Sequence, residues 1–191
     1  MPISRSVVEN EEPAWVGDVL RFWFEELGEA QWFVKSDVVD TRIRERFFAL
    51  HGLVLGQGAP ATGTPRTSLA AVIVLDQFSR NMFRGSPGAY AADPLARRLA
   101  RLAVDQGHDQ AVVVRERLFF YLPFEHSEDR QDQQLSLRLI TALGNDGLTR
   151  YAAAHQEIID RFGRFPHRNA VLGRISTAEE ITLLQEPANW F

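Results

Sequence analysis

Thr67-Ser68-Leu69-Ala70-Ala71-Val72-Ile73-Val74-Leu75-Asp76-Gln77-Phe78-Ser79-Arg80-Asn81-Met82-Phe83 is the stretch on which the fold turns. Its first two turns are apolar on nearly every side, so a helix here has little to offer water and belongs at the centre of the protein. Thr67 or Ser68 begins it, and Gly85-Ser86-Pro87-Gly88 ends it. Outward from this centre, apolar residues recur at helical rather than alternating spacing. Upstream, Pro13 occupies a tolerated first-turn position, Val16, Val19, Leu20, Trp23 and Leu27 form one face, and Gly28 supplies a left-handed cap. Ser36 or Asp37 caps a second helix with the stripe Val39, Ile43, Phe47, Leu50, Val54, which stops at Gly56 and gives way to a loop over 56–66.

Downstream, Asp93-Pro94 is an N-cap and N1 pair for a fourth helix reaching Gly107, and residues 115–122 form a fifth that Pro123 breaks. Ser127 opens a sixth that Gly144 closes, and residues 148–162 form a seventh capped by Gly163. Ser176-Thr177-Ala178-Glu179 has the spacing of a capping box and opens the last helix, to about Glu186. The pattern predicts an all-α chain of about eight helices in stacked antiparallel pairs. Residues 1–12 read as an extension and 13–191 as a single helical domain.

Composition narrows the function without naming it. The chain has 191 residues, 45% of them apolar, and carries a net charge of −4. A nucleic-acid binder needs a strong positive field, so neither DNA nor RNA is an expected partner. The longest apolar runs, 69–75 and 118–124, fall far short of the roughly 20 residues that cross a bilayer, so no membrane role is expected. The start, Met1 to Asn10, has no apolar core of the kind a signal peptide needs, and the expectation is a cytoplasmic protein. With no cysteine in the chain, thiol nucleophiles and thiolate metal sites drop out, leaving His, carboxylates, hydroxyls and Arg for any chemistry.

Polar residues crowd three segments. In the first, Asp76, Arg80 and Arg84 follow each other at i,i+4 with Asn81 between, sharing a helix face behind the apolar run. Paired Arg forks suit carboxylate or phosphate oxygens, and the same residues can simply lock a helix end. In the second, Glu125 and His126 precede a helix N-terminus, where an imidazole beside a carboxylate can do acid–base work or satisfy local carbonyls. The third holds Arg161, Arg164, His167, Arg168, Asn169 and Arg174, a local charge of +3 from Asp160 to Arg174 inside an acidic chain. Against this stands a compositional habit, for the chain uses twenty Arg and one Lys.

His155 lies on the stripe Tyr151, His155, Ile158, Phe162 and reads as a satisfied core histidine, while His51 and His108 belong to no constellation. No HExxH or other ligand spacing is present, so no metal site is assigned and no cofactor is named. Residues 58–65 superficially resemble a phosphate-binding loop, but Thr64 replaces the lysine. Trp15, Trp23 and Trp190 serve either the core or a subunit contact, and the oligomeric state is open.

Leu75 to Gly85, Ala92-Asp93-Pro94-Leu95-Ala96, Leu122-Pro123-Phe124-Glu125-His126-Ser127-Glu128, Phe162 to Asn169, Leu172-Gly173-Arg174 and Ser176-Thr177-Ala178-Glu179-Glu180 together resemble domain-of-unknown-function family 924, which is mostly bacterial. Trp32-Phe33 with Asp37 and Asp40 also matches, so the resemblance runs from about Trp15 onward. The tail Pro187-Ala188-Asn189-Trp190-Phe191 departs from the family's glycine-rich ending. The family implies a tetratricopeptide-like helical fold and supplies no established activity. Function therefore rests on the residues. The first reading is a small anionic ligand held by Arg80, Arg84, Arg164, Arg168 and Arg174, assisted by Asp76, Asn81 and Asn169, with proton transfer from Glu125, His126 or His167. The second is a helical module that docks a peptide or protein, with the polar motifs structural. Whether the chain is an enzyme stays open.

Overall fold

Leu69 to Leu75 are inaccessible to solvent, as a run apolar on every side requires. A computed structural model of the protein describes residues 12–57 and 63–186. Among them there are only helices and connections, with no strand. In chain order they are α1 (Ala14–Arg21), prolonged by a π turn (Phe22–Leu27); α2 (Asp37–Gln57); α3 (Pro65–Ile73), running through a second π turn (Val74–Phe78) into α4 (Ser79–Met82); the short α5 (Gly88–Ala91); α6 (Asp93–Asp105); α7 (Val114–Glu125); α8 (Arg130–Thr141); α9 (Asp146–Phe162); and α10 (Ala178–Gln185). The chain is all-α, and each predicted helix is present.

α3 and the π turn after it form the axis, touching α1, α6 and α7, while α2 lies along the π turn and α4. From α6 to α9 each helix packs on the next. One continuous core runs from Val16 to Ala152, and Ile158, Ile159 and Phe165 form a satellite. Its aromatic heart is Phe22, Trp23, Trp32, Phe78 and Phe119, with Trp23 and Phe119 meeting edge to face at 5.6 Å. Each such ring contributes roughly 1.5–3 kcal/mol through burial.

Several boundaries differ from expectation, each for a local reason. The central helix starts at Pro65 because Thr64, not Thr67 or Ser68, caps it by accepting Thr67 N–H. Pro123 does not break α7. It sits in the last turn, where it costs one hydrogen bond, and the chain still closes with His126 N–H to the Leu122 carbonyl at 2.8 Å. Asp129, not Ser127, caps α8 by accepting the N–H groups of Gln131 and Asp132. Asp93 is the first residue of α6 rather than its cap, since its carboxylate is taken by Arg80. Asn145 caps α9, which starts at Asp146, two residues before Leu148, and the capping box is Thr177 with Glu180, one step beyond Ser176 and Glu179. Gly28 has φ +71° with an extended ψ, a glycine conformation other than the left-handed helical cap expected. α5 opens at Gly88, inside the segment expected only to end the central helix. Trp23 is core and Trp15 packs against it, whereas Trp190, the tail 187–191, the extension up to residue 11 and residues 58–62 of the loop lie outside the described residues.

Candidate active site

The π turn places Asp76 on the inward side of the central helix, 1% exposed, where it meets the C-terminal end of α7. His126 Nδ1 lies 2.8 Å from Asp76 Oδ1. An ionised carboxylate can only accept, so the imidazole proton sits on Nδ1 and Nε2 is left as the basic atom. Among the described residues nothing bonds to Nε2. Arg80, one turn along the same helix, reaches Asp76 at 3.1 Å and grips Asp93 at the start of α6 with both terminal nitrogens, at 3.0 and 3.1 Å.

Two side chains hold the backbone around His126. Gln133 of α8, fully buried, donates Nε2 to the carbonyls of Glu125 and Ser127, each at 2.6 Å. Arg168, in the 3-10 turn Pro166–Arg168, donates Nη1 to the His126 carbonyl at 3.0 Å. The Arg168 guanidinium lies between two rings, 4.7 Å from the centroid of Tyr90 and 4.4 Å from that of Phe165. Its residue is 6% exposed, its nearest carboxylate is Asp93 at 3.7 Å, and its Nε is buried without a hydrogen-bond partner. These residues border a cleft of about 300 Å³ whose wall includes Tyr90, Asp93, Arg97, His126, Glu128 and Arg168.

Electrostatics separate the groups. Burial alone would raise the Asp76 carboxyl, but Arg80 and His126 beside it hold it below the usual carboxylate range. Burial, then the Arg80 charge, lowers His126, so the imidazole is neutral at neutral pH. Burial, with the Asp76 charge behind it, pushes Glu125 up to about 8. Burial lowers His155 to about 3 and, with Arg168 adding to it, His167 to about 4. Burial and the Arg80 charge bring Arg168 down to about 10, still a cation at neutral pH. A neutral imidazole with its proton fixed on the carboxylate side, facing a cleft beside a buried cation, has the layout of a general base.

The structure brings together Asp76, Arg80, His126 and Arg168 and disperses the other arginines. Arg84 pairs with Asp40 at 2.6 and 2.9 Å, and Asn81 joins the same carboxylate at 2.8 Å. Arg164 pairs with Glu180 at 2.6 and 2.8 Å, and Asn169 donates to Glu180 and Ser176. Arg174 pairs with Glu128 at 2.7 and 2.9 Å. So the five arginines do not converge on one anion: four of them already hold internal carboxylates that each satisfy a guanidinium fork. Glu125 sits behind His126, 3.7 Å from His155, rather than in the cleft wall. His167 packs its ring on Phe165 at 5.6 Å, outside that wall. His155 is buried and bonded to the Tyr151 carbonyl at 2.9 Å, although Tyr151 itself faces solvent. His51 meets Ser79 and His108 meets Ser68. Among the described residues no cluster of three or more His, Cys, Asp or Glu is placed to hold a metal, and no helix is long and apolar enough to cross a membrane.

Sequence reasoning passed over Tyr90, Arg97, Gln133 and the ion-pairing role of Asp93. For Asp93 the sequence offers a competing signal: an acidic residue before a proline suggests a cap, and its carboxylate goes instead to Arg80, thirteen residues upstream. For Gln133, lying on α8 with carbonyls at the end of α7 and just beyond it as its targets, no local signal exists.

Fold and site together define an all-α protein in which a buried Asp–His pair opens on a small, arginine-bordered cleft. Over residues 19–188 the chain matches the family described as bacterial protein of unknown function (DUF924), and it belongs to that family. It is similar to the solved structure of a protein of unknown function from Agrobacterium tumefaciens, with 41% identity, 91% of this chain and 98% of that chain covered, and a TM-score of 0.86. Among curated proteins none matches the chain.

Proposed function

We propose that the protein binds a small anionic molecule in the cleft at the end of α7 and acts on it by acid–base chemistry. His126 Nε2 is the general base, Asp76 fixes its tautomer, and Arg168 holds the ligand's carboxylate or phosphate. The observation that carries this reading is the pairing of Nε2, free of any partner among the described residues, with a buried guanidinium whose nearest carboxylate stands 3.7 Å away, the two residues lining one cleft. A buried cation left partly unpaired is costly, and a ligand oxygen would relieve that cost. The volume lies at the small end of ligand sites, about 300–1,000 Å³, which favours a small acid over a dinucleotide or a helix.

The test is a screen of small carboxylic and phosphorylated acids by ligand-observed NMR against the wild type, His126→Gln and Arg168→Met. A hit that weakens at least about tenfold in Arg168→Met and perturbs the His126 ring supports the reading. Hits that bind all three proteins alike contradict it.

A further inference from the structure

Where α6 faces α8, a second concavity of about 540 Å³ adjoins the cleft and shares Pro94 and Arg97 with it. Its charge is unbalanced. Arg97, Arg98 and Arg101 project from α6 and Arg138 from α8, against only two carboxylates, Asp129 and Asp132. Asp132, 5% exposed, is already shared by Arg97 at 3.0 Å and by Arg101, and also accepts the Ser127 hydroxyl at 2.8 Å. Asp129 is spent on the backbone N–H groups that open α8. Arg98 and Arg138 are exposed and meet no carboxylate among the described residues. Two positive charges are therefore left over on one concave wall, in a chain whose net charge is −4.

We infer that this α6–α8 groove binds the phosphate group of a small molecule. A phosphate at neutral pH carries close to two negative charges, since its second pKa is about 6, and so matches the excess. Guanidinium forks bond phosphate oxygens in pairs, which a lysine wall would not do. A concave wall focuses the field of its charges, so the groove attracts an anion even though the whole chain is acidic. That overall acidity opposes a nucleic-acid backbone, which needs a long positive track. The shared wall at Pro94 and Arg97 puts the held phosphate next to the cleft. The groove assignment stands apart from the chemistry assigned to His126, because none of its four arginines depends on the Asp76–His126 pair.

The experiment is calorimetric titration of inorganic phosphate and pyrophosphate into the full chain at low and high salt. It is run for the wild type, the double variant Arg98→Ala/Arg138→Ala, and His126→Gln. Both arginines are exposed and unpaired, so the double variant keeps its fold, and an unchanged thermal midpoint verifies that. Expected is saturable binding, tighter for pyrophosphate, weakened at least about tenfold in the double variant and by added salt, and unchanged in His126→Gln. Three results overturn the assignment. One is the absence of saturation by pyrophosphate up to about 10 mM, roughly the weakest range of a specific small-ligand site. Another is equal affinity in the double variant. The third is binding lost in His126→Gln alone, which moves the anion into the cleft and leaves the proposed acid–base reading intact. A glutamate-rich peptide or an oligonucleotide that outcompetes pyrophosphate at matched ionic strength also overturns it.

Discussion

Asp76 and His126, fifty residues apart in the chain, meet at 2.8 Å inside the protein, with the carboxylate on the central helix and the imidazole at the end of α7. The contact couples two elements of the core through one proton. It also decides which imidazole nitrogen remains basic, because an acceptor-only carboxylate claims the Nδ1 hydrogen. Stability and the proposed chemistry are thereby tied to the same atom pair.

Replacing Asp76 with Ala deprives both Arg80 and His126 of a buried carboxylate, and Asp93 is then the one carboxylate left to Arg80 among the described residues. Breaking a buried charged pair costs about 3–5 kcal/mol, so the variant should unfold at markedly lower urea, with Asp18→Ala as the control. Asp18 pairs with Arg21 where both side chains are more than half exposed, and its loss should cost no more than about 1 kcal/mol. Equal losses at the two sites would count against a buried keystone at Asp76.

Glu125 sets a limit at alkaline pH. Its folded pKa, raised to about 8, lies above the unfolded value near 4.5, so its contribution is fully present below 4.5 and is lost as pH rises through 8. Glu125→Gln should match the wild type near pH 5 and exceed it near pH 8 by on the order of a few kcal/mol. Parallel stability curves for the two proteins would show that Glu125 ionises as freely in the fold as in the unfolded chain.

The histidines act in the opposite sense. Their pKa values are depressed, to about 3 for His155 and about 4 for His167, so stability present above the unfolded value near 6.5 is lost as pH falls toward those values. Replacing His155 with Gln should remove up to about 2 kcal/mol of the loss between neutral pH and pH 5, read as a shallower fall in urea midpoint. An unaltered acid limb would place His155 outside this linkage.

Much of the helical framework was legible because its signals are local. The apolar run from Leu69 to Leu75 announces a buried helix by itself, and Gly163 marks an end that its φ of +69° confirms. Boundaries failed where two residues competed for one task. Ser127 and Asp129 both suit a cap, and Ser127 is diverted to Asp132 and Arg97. Sequence grouped Arg84 with Arg80, yet Arg84's partner Asp40 lies 44 residues away, and Arg174 finds Glu128 at a separation of 46. Spacing shows which residues share a face, but tertiary packing chooses the partner. Hence Asp76, Arg80, His126 and Arg168 could be picked out one by one, while their meeting, and the dispersal of the rest, followed only from the fold.

Gln133 is a positioning residue in this account. Gln133→Leu leaves the carbonyls of Glu125 and Ser127 without their shared donor, at a cost of roughly 1–3 kcal/mol for each buried group left unpaired. A merely structural loss would lower stability and leave the His126 titration alone. Displacement of the His126 backbone should shift that titration too, as read by imidazole carbon resonances.

The most direct measurement is nitrogen-detected NMR of the His126 ring across pH, in the wild type and in Asp76→Asn. Expected are a neutral ring protonated on Nδ1, a pKa below about 6.5, and loss of that tautomeric bias in Asp76→Asn. A wild-type ring protonated on Nε2, or one that stays charged above neutral pH, would contradict the assignment of His126 as general base, because the basic nitrogen facing the cleft would then not exist.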